Sequence, residues 1–262
     1  MLRYVDVYEA ENAQLKKKIN FCNLRLCFSR MFDKNRIEND VLVLNDLEPP
    51  PDLEYLEIYG YWSTKMYPDW TMFLAKLKVL KVTRINLKCL PPLGKLLLLE
   101  SLEIQQTFSL KKVGVEFLEI DSNNNTDIGS ASSLVLFPNL KSLKFVLSKK
   151  WEEWTRVGGM KEDGVTIMSR LHFLTINCCH KLNSLPNFLQ TIPLKELEII
   201  TSPIISKCCQ RGTEEEWSKI CRIPNIKIDY AYVQIDGCDP SVRVDNDEVF
   251  ASEVVSSAWW WS

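Results

Sequence analysis

Two vicinal cysteine pairs, Cys178-Cys179 (with His180 next to it) and Cys208-Cys209, are the residues whose types could hold a metal ion. Their spacing argues against it. Structural zinc sites favour thiols separated by roughly two to four residues, so that both sulfurs reach one ion. His172 and His180 are the only two histidines, and no motif sets a nucleophile beside either. The chain contains no G-x-x-x-x-G-K-[ST] phosphate loop, no G-x-G-x-x-G turn and no H-E-x-x-H helix. The expectation is a protein that is not an enzyme, with no catalytic residue, no bound metal and no cofactor.

The bulk composition narrows the class. The chain has 262 residues, 46% hydrophobic and 25% charged, with a formal net charge of -2. Those proportions suit a soluble globular protein. The near-neutral balance lacks the basic stripe of a nucleic-acid binder. The start, MLRYVDVYEAENAQ, is charged early and has no apolar stretch, unlike a signal peptide. No run reaches the roughly 20 apolar residues of a membrane span. Nine cysteines without an export signal suggest reduced thiols and a cytoplasmic location.

The elements that organise these residues come from one recurring phrase, L-x-x-L-x-L with aliphatic or aromatic exchange. It is weak at Phe21-x-x-Leu24-x-Leu26. It is strong at Leu53 (LEYLEI), Leu77 (LKVLKV), Leu99 (LESLEI), Leu140 (LKSLKF), Leu171 (LHFLTI) and Leu194 (LKELEI), and closes at Ile223 (IPNIKI). The starts step by 32, 24, 22, 41, 31, 23 and 29 residues. Leucine-rich repeats run roughly 20–29 residues, each one strand and a return segment. An amphipathic helix does not fit, because i and i+5 lie on different helical faces, whereas i+3 and i+5 of a strand share one. Prolines in LPPLG (Leu90 to Gly94) and SLPNFL (Ser184 to Leu189) also bar helices there. The expected fold class is an α/β repeat. It is a leucine-rich-repeat solenoid, or horseshoe, with a parallel β-sheet on the concave face and irregular or short helical convex segments. Cys179 then falls where Asn or Cys turns the chain in such repeats.

Residues 21–234 form the expected repeat domain of about eight repeats, with insertions near 105–136 and 147–168. Residues 1–20 are expected to supply a partial helical cap, from the helix formers in Tyr4 to Lys18. Asp121 to Ser133 (DSNNNTDIGSASS) reads as a loop, since it cannot build a core. Trp151 and Trp154 are expected to pin the second insertion to the solenoid, because Trp is costly to leave in water. Residues 235–262 leave the pattern and are expected to be a poorly ordered tail.

The register also fixes a surface. Residues flanking the inward pair face the concave side. The central column reads Arg25, Glu57, Lys81, Glu103, Lys144, Thr175, Glu198, Lys227. Its charges alternate on strands roughly 4.8 Å apart, so the column is expected largely to neutralise itself. The flanking columns carry the aromatic candidates Tyr55, Tyr59 and Phe173. Tyr55, Tyr59, Phe173, Glu57, Lys81, Glu103, Lys144 and Glu198 are the candidate protein-binding face.

The phrases PPPDLEYLEIYGYWSTKMYPDW (Pro49 to Trp70), CLPPLGKLLLLESLEI (Cys89 to Ile104), KKVGVEF (Lys111 to Phe117), FPNLKSLKF (Phe137 to Phe145), WEEW (Trp151 to Trp154) and EEWSKICRIPNIKI (Glu215 to Ile228) occur in that order. Together they resemble the C-terminal repeats of plant coiled-coil nucleotide-binding leucine-rich-repeat disease-resistance proteins, over about residues 4 to 234. The resemblance implies an intracellular immune receptor. Its repeats would bind a pathogen effector or a guarded host protein in the defence response, and contact the nucleotide-binding domain of the full receptor. Two departures stand out. The sequence holds neither the coiled coil nor the nucleotide-binding domain, so a truncated member is expected. Ile85 and Ser202 stand where the family's repeat cysteines are common. Two alternative readings are a substrate adaptor of a ubiquitin ligase and a non-functional truncated gene copy.

Overall fold

The computed structural model describes residues 2–3, 13–18, 21–28, 34–63, 70, 73–114, 117, 134–154, 165–212 and 214–243. Each strong phrase becomes one strand. The repeat strands are β2 (Asn23–Cys27), β3 (Tyr55–Tyr59), β4 (Val79–Ile85), β5 (Ser101–Thr107), β8 (Ser142–Val146), β11 (Phe173–Asn177), β12 (Glu196–Ile200) and β13 (Asn225–Ile228). With β1 (Leu2–Arg3) and β14 (Ala231–Gln234) they make one ten-stranded sheet in the order β1-β2-β3-β4-β5-β8-β11-β12-β13-β14. Every pairing is parallel except β13 with β14. This is the solenoid expected from the repeat spacing.

Pairing is in register, so like positions stack on like. Leu56, Leu80, Leu102, Leu143, Leu174, Leu197 and Ile226 form one inward column. Ile58, Val82, Ile104, Phe145, Ile176, Ile199 and Ile228 form the next. Nearly all of these side chains are buried. The convex returns complete the core. Leu90, Leu93 and Leu96 are buried, whereas Leu97 and Leu98 of the same leucine run are exposed. Proline-rich turns suit these returns because they need no ladder of backbone N–H donors.

A second column is conformational. Gly60, Arg84, Gln106, Leu147, Cys178 and Thr201, each at or just beyond the end of its strand, have positive φ. Left-handed backbone costs a non-glycine residue about 1–2 kcal/mol. The inter-repeat ladder holds several of them there. Gly60 N–H donates to Thr83 O at 2.9 Å, Leu147 N–H to Asn177 O at 2.8 Å, and Cys178 N–H to Ile200 O at 2.9 Å. Gly60 carries a further constraint, since a Cβ there would lie 2.8 Å from Phe28 O.

The long steps hold extra structure. The first contains helix α1 (Lys34–Asp46), which buries Val43 and Leu44, with Leu47 just beyond its end. Trp70 Nε1 donates to Leu44 O at 2.9 Å. The two insertions brace one another. β6 (Lys112–Val113) pairs with β9 (Glu153–Trp154), and β7 (Leu134–Leu136) pairs with β10 (Val165–Ile167). Trp151 and Trp154 are buried, as their composition predicts. Their rings lie 4.4 and 5.4 Å from that of Phe145. The whole segment expected to form the Asp121 to Ser133 loop, and residues 155–164, lie outside the described residues, as do most of the expected N-terminal helix and residues 244–262. Residues 240–243 form a single 3-10 turn.

The last repeats are held by helices α2 (Pro203–Cys208) and α3 (Glu214–Ile220). On α3, Glu216 and Lys219 form an ion pair whose side chains are only 8% and 3% exposed. Together they grip one residue of the neighbouring return. Leu185 N–H donates to Glu216 Oε2 at 2.8 Å, and Lys219 Nζ donates to Leu185 O at 3.0 Å. The pair thus satisfies a buried peptide that no strand partner reaches. Gln234 closes the antiparallel edge: its Nε2 donates to Cys221 O at 2.9 Å and Ile223 O at 2.7 Å.

Two stability outcomes follow. Gly60→Ala lowers unfolding free energy by about 1–3 kcal/mol, because Phe28 must move; an unchanged urea midpoint contradicts the close approach. Glu216→Ala, which strands Lys219 in the core, costs about 3–5 kcal/mol. Lys76→Ala, opening the exposed pair with Asp52, should leave the midpoint in place in the same titration.

Candidate functional site

The strands position the candidate face by simple alternation. With Leu56 and Ile58 turned inward, Tyr55, Glu57 and Tyr59 must turn outward, and the same holds on each strand. The central column is continuous in the register: Arg25, Glu57, Lys81, Glu103, Lys144, Thr175, Glu198 and Lys227 are successive Cα partners. The outward side chains remain half-buried or exposed, apart from Ile200, which is buried. Asp229, just beyond β13, has a positive φ, and its Oδ1 accepts from Thr201 N–H at 2.7 Å.

Pairing within the central column is selective. Arg25 meets Glu57 at 2.6 Å, Lys81 meets Glu103 at 3.2 Å, and Lys227 meets Glu198 at 3.3 Å. The hydrogen bond to Glu57 raises the Arg25 pKa, and that to Glu103 raises the Lys81 pKa. Gln105 Nε2 also donates to Glu103. Lys144 is Glu103's register partner on the far side, yet it makes no ion pair among the described residues. The carboxylate is already engaged by Lys81 and Gln105.

The aromatic candidates differ in openness. Tyr55 OH donates to Glu57 Oε2 at 3.0 Å, and burial with this hydrogen bond pushes the Tyr55 pKa up. Tyr59 lies under the Arg84 guanidinium, 5.8 Å from ring centre. Phe173 is 46% exposed, with His172 edge-on at 6.3 Å. Phe173 is therefore the most open of the three aromatic candidates.

A second charge column is legible in the sequence. It is the second position of each phrase: Glu54, Lys78, Glu100, Lys141, His172 and Lys195. Backbone hydrogen bonds link them in succession. Lys78 pairs with Glu54 and Lys141 with Glu100, both at 2.9 Å. The repeated L-E/L-K opening of the phrases is the signal for it.

The vicinal cysteines divide by burial. Cys179 and Cys209 are buried, while Cys178 and Cys208 are partly exposed. Burial pushes the Cys179 thiol up to about 12 and the Cys209 thiol up as well. Both are protonated thiols that pack; the thiolate is the form that ligates or attacks. Cys179 occupies the turn position, where its N–H donates to Ser202 Oγ at 3.0 Å.

The ladder makes a direct prediction. Lys81→Glu sets three carboxylates in a row with Glu57 and Glu103. It should lower stability by about 1 kcal/mol, less at high salt, with partial recovery in Lys81→Glu/Glu103→Lys. Equal thermal midpoints at low salt contradict the pairing.

Comparison with known proteins agrees with this geometry. Residues 1–107 match the family model described as R13L1/DRL21 LRRs. The chain is 33% identical over 172 residues to putative disease resistance protein RGA4 of Solanum bulbocastanum, covering 64% of this chain and 16% of that protein. It is 37% identical over 142 residues to putative disease resistance protein RGA1 of the same plant, covering 52% and 13%. A third relative, putative disease resistance protein At3g14460 of Arabidopsis thaliana, is 31% identical over 129 residues, covering 47% and 8%. The chain thus spans less than a fifth of the length of these relatives. Repeat register, open sheet face and these likenesses agree: the chain is a leucine-rich-repeat solenoid similar to part of plant disease-resistance proteins.

Proposed function

We propose that the concave face recognises a protein, a pathogen effector or a guarded host protein, on behalf of a cytoplasmic receptor. The observation that carries this reading is the open outward face of the in-register strands, where Tyr55, Tyr59 and Phe173 stand among charged neighbours. Aromatic side chains of this kind dominate binding energy at protein interfaces. The likeness to disease-resistance proteins supplies the biological class. Nine free thiols suit a reducing compartment. Among the described residues, no helix is long and apolar enough to cross a membrane. The repeats would also contact the nucleotide-binding domain of a full receptor, as the resemblance implies.

A two-hybrid screen of the chain against secreted pathogen proteins and host proteins tests the reading. A true partner should lose at least about tenfold in affinity on Tyr55→Ala/Phe173→Ala. It should keep its affinity on Leu98→Ser, at an exposed leucine outside the strands. Partners that lose affinity only on the second substitution would move recognition away from the concave face.

A further inference from the structure

Both charge columns lack a carboxylate at strands β8 and β11. In the central column, Lys144 is exposed and without an ion pair among the described residues. Its neighbour Glu103 is engaged by Lys81 at 3.2 Å. Its neighbour on the other side is Thr175, which carries no charge. In the second column, Lys141 is held by Glu100, and His172 and Lys195 follow with no acid after them. Lys195 is exposed and makes no ion pair among the described residues. Phe173 lies in the same patch, set between Ser142 and Glu196 in the register, and Ser142 is too small to cover the ring.

We propose that this patch takes an extended acidic stretch of a partner protein, with Lys144 meeting a carboxylate and Phe173 taking the apolar residue beside it. The proposal rests on the reading of the concave face as a recognition surface. The charge pattern selects the partner's chemistry. A lone unneutralised ammonium beside an apolar ring suits one or two carboxylates flanked by an aliphatic or aromatic side chain. A nucleic acid would bring a continuous row of phosphates. It would have to lie over Glu57, Glu103, Glu196 and Glu198 on the same face. Elsewhere on the central column the cations are already satisfied within the sheet, so an acidic partner gains most at Lys144.

The missing carboxylate provides the test. Thr175→Glu places an acid on the strand next to Lys144, while its other neighbour, Glu198, is already held by Lys227. The chain is immobilised and used to select peptides from a random display library, and affinities are then measured by fluorescence anisotropy. Selected peptides should be rich in Asp and Glu next to Leu, Ile or Phe. Their affinity should fall by roughly tenfold on Lys144→Ala and also on Thr175→Glu. They should bind unchanged to Lys112→Ala, in the β6–β9 insertion. Thr175→Glu should melt close to the parent temperature, attraction to Lys144 offsetting repulsion from Glu198, so that its loss of binding is not unfolding. Selection of acid-poor peptides, or binding indifferent to both substitutions, overturns the proposal. If such peptides lose binding on Tyr55→Ala and Tyr59→Ala, the concave-face reading survives alone. If no concave substitution matters, both readings fail. Competition by a single-stranded oligonucleotide that depends on Lys144 would overturn the acidic-protein assignment in favour of nucleic acid.

Discussion

The in-register parallel ladder is the interaction on which everything else in this chain depends. Because Leu56 stacks on Leu80 and Leu80 on Leu102, every other position must also stack on its own kind. One-residue slippage would turn the leucine column to solvent and the charges to the core. The apolar columns therefore specify the polar ones. The same geometry places Gly60, Arg84, Gln106, Leu147, Cys178 and Thr201 in one left-handed column. Ladder hydrogen bonds at Gly60, Leu147 and Cys178 offset the strain there, which lets residues as unlike as Leu and Cys adopt the same backbone.

Stacking like on like has an electrostatic consequence. A column of identical charges would repel along its whole length, and alternation removes the problem pair by pair. The pairs are not equivalent, however. A carboxylate has limited acceptor capacity and one preferred orientation, so Glu103 bound to Lys81 is lost to Lys144. Alternation in sequence thus produces dimers of charge rather than a continuous chain. Where a neutral residue such as Thr175 interrupts the series, an unpaired cation remains at the surface.

Repeats of unequal length are reconciled by secondary contacts away from the sheet. Two consecutive insertions pair with each other through β6–β9 and β7–β10, and the Trp151 and Trp154 rings seal them against Phe145. Toward the other end, α3 uses the buried Glu216–Lys219 pair to hold the Leu185 peptide. Such a pair adds little net stability over apolar packing, but removing one partner is severe. Its gain is positional: it sets where the helix meets the preceding return.

The sequence by itself determined the strands, their register and the order of the outward columns. A period-two pattern with invariant apolar positions allows only one inward face, and stacked repeats allow only one alignment. Burial of Trp151 and Trp154 was legible for the same reason, since large apolar rings have few alternatives. Tertiary structure alone decided which charges pair. Arg25, Lys81 and Lys144 are equivalent in the sequence pattern, yet only the first two find a carboxylate, because side-chain orientation across strands depends on neighbours two repeats away. It alone also revealed the buried Glu216–Lys219 clamp and the pairing of the two insertions. Those contacts join residues about 30 or more positions apart with no periodicity to announce them. Periodic burial leaves a trace in a sequence; a single nonperiodic hydrogen bond leaves none.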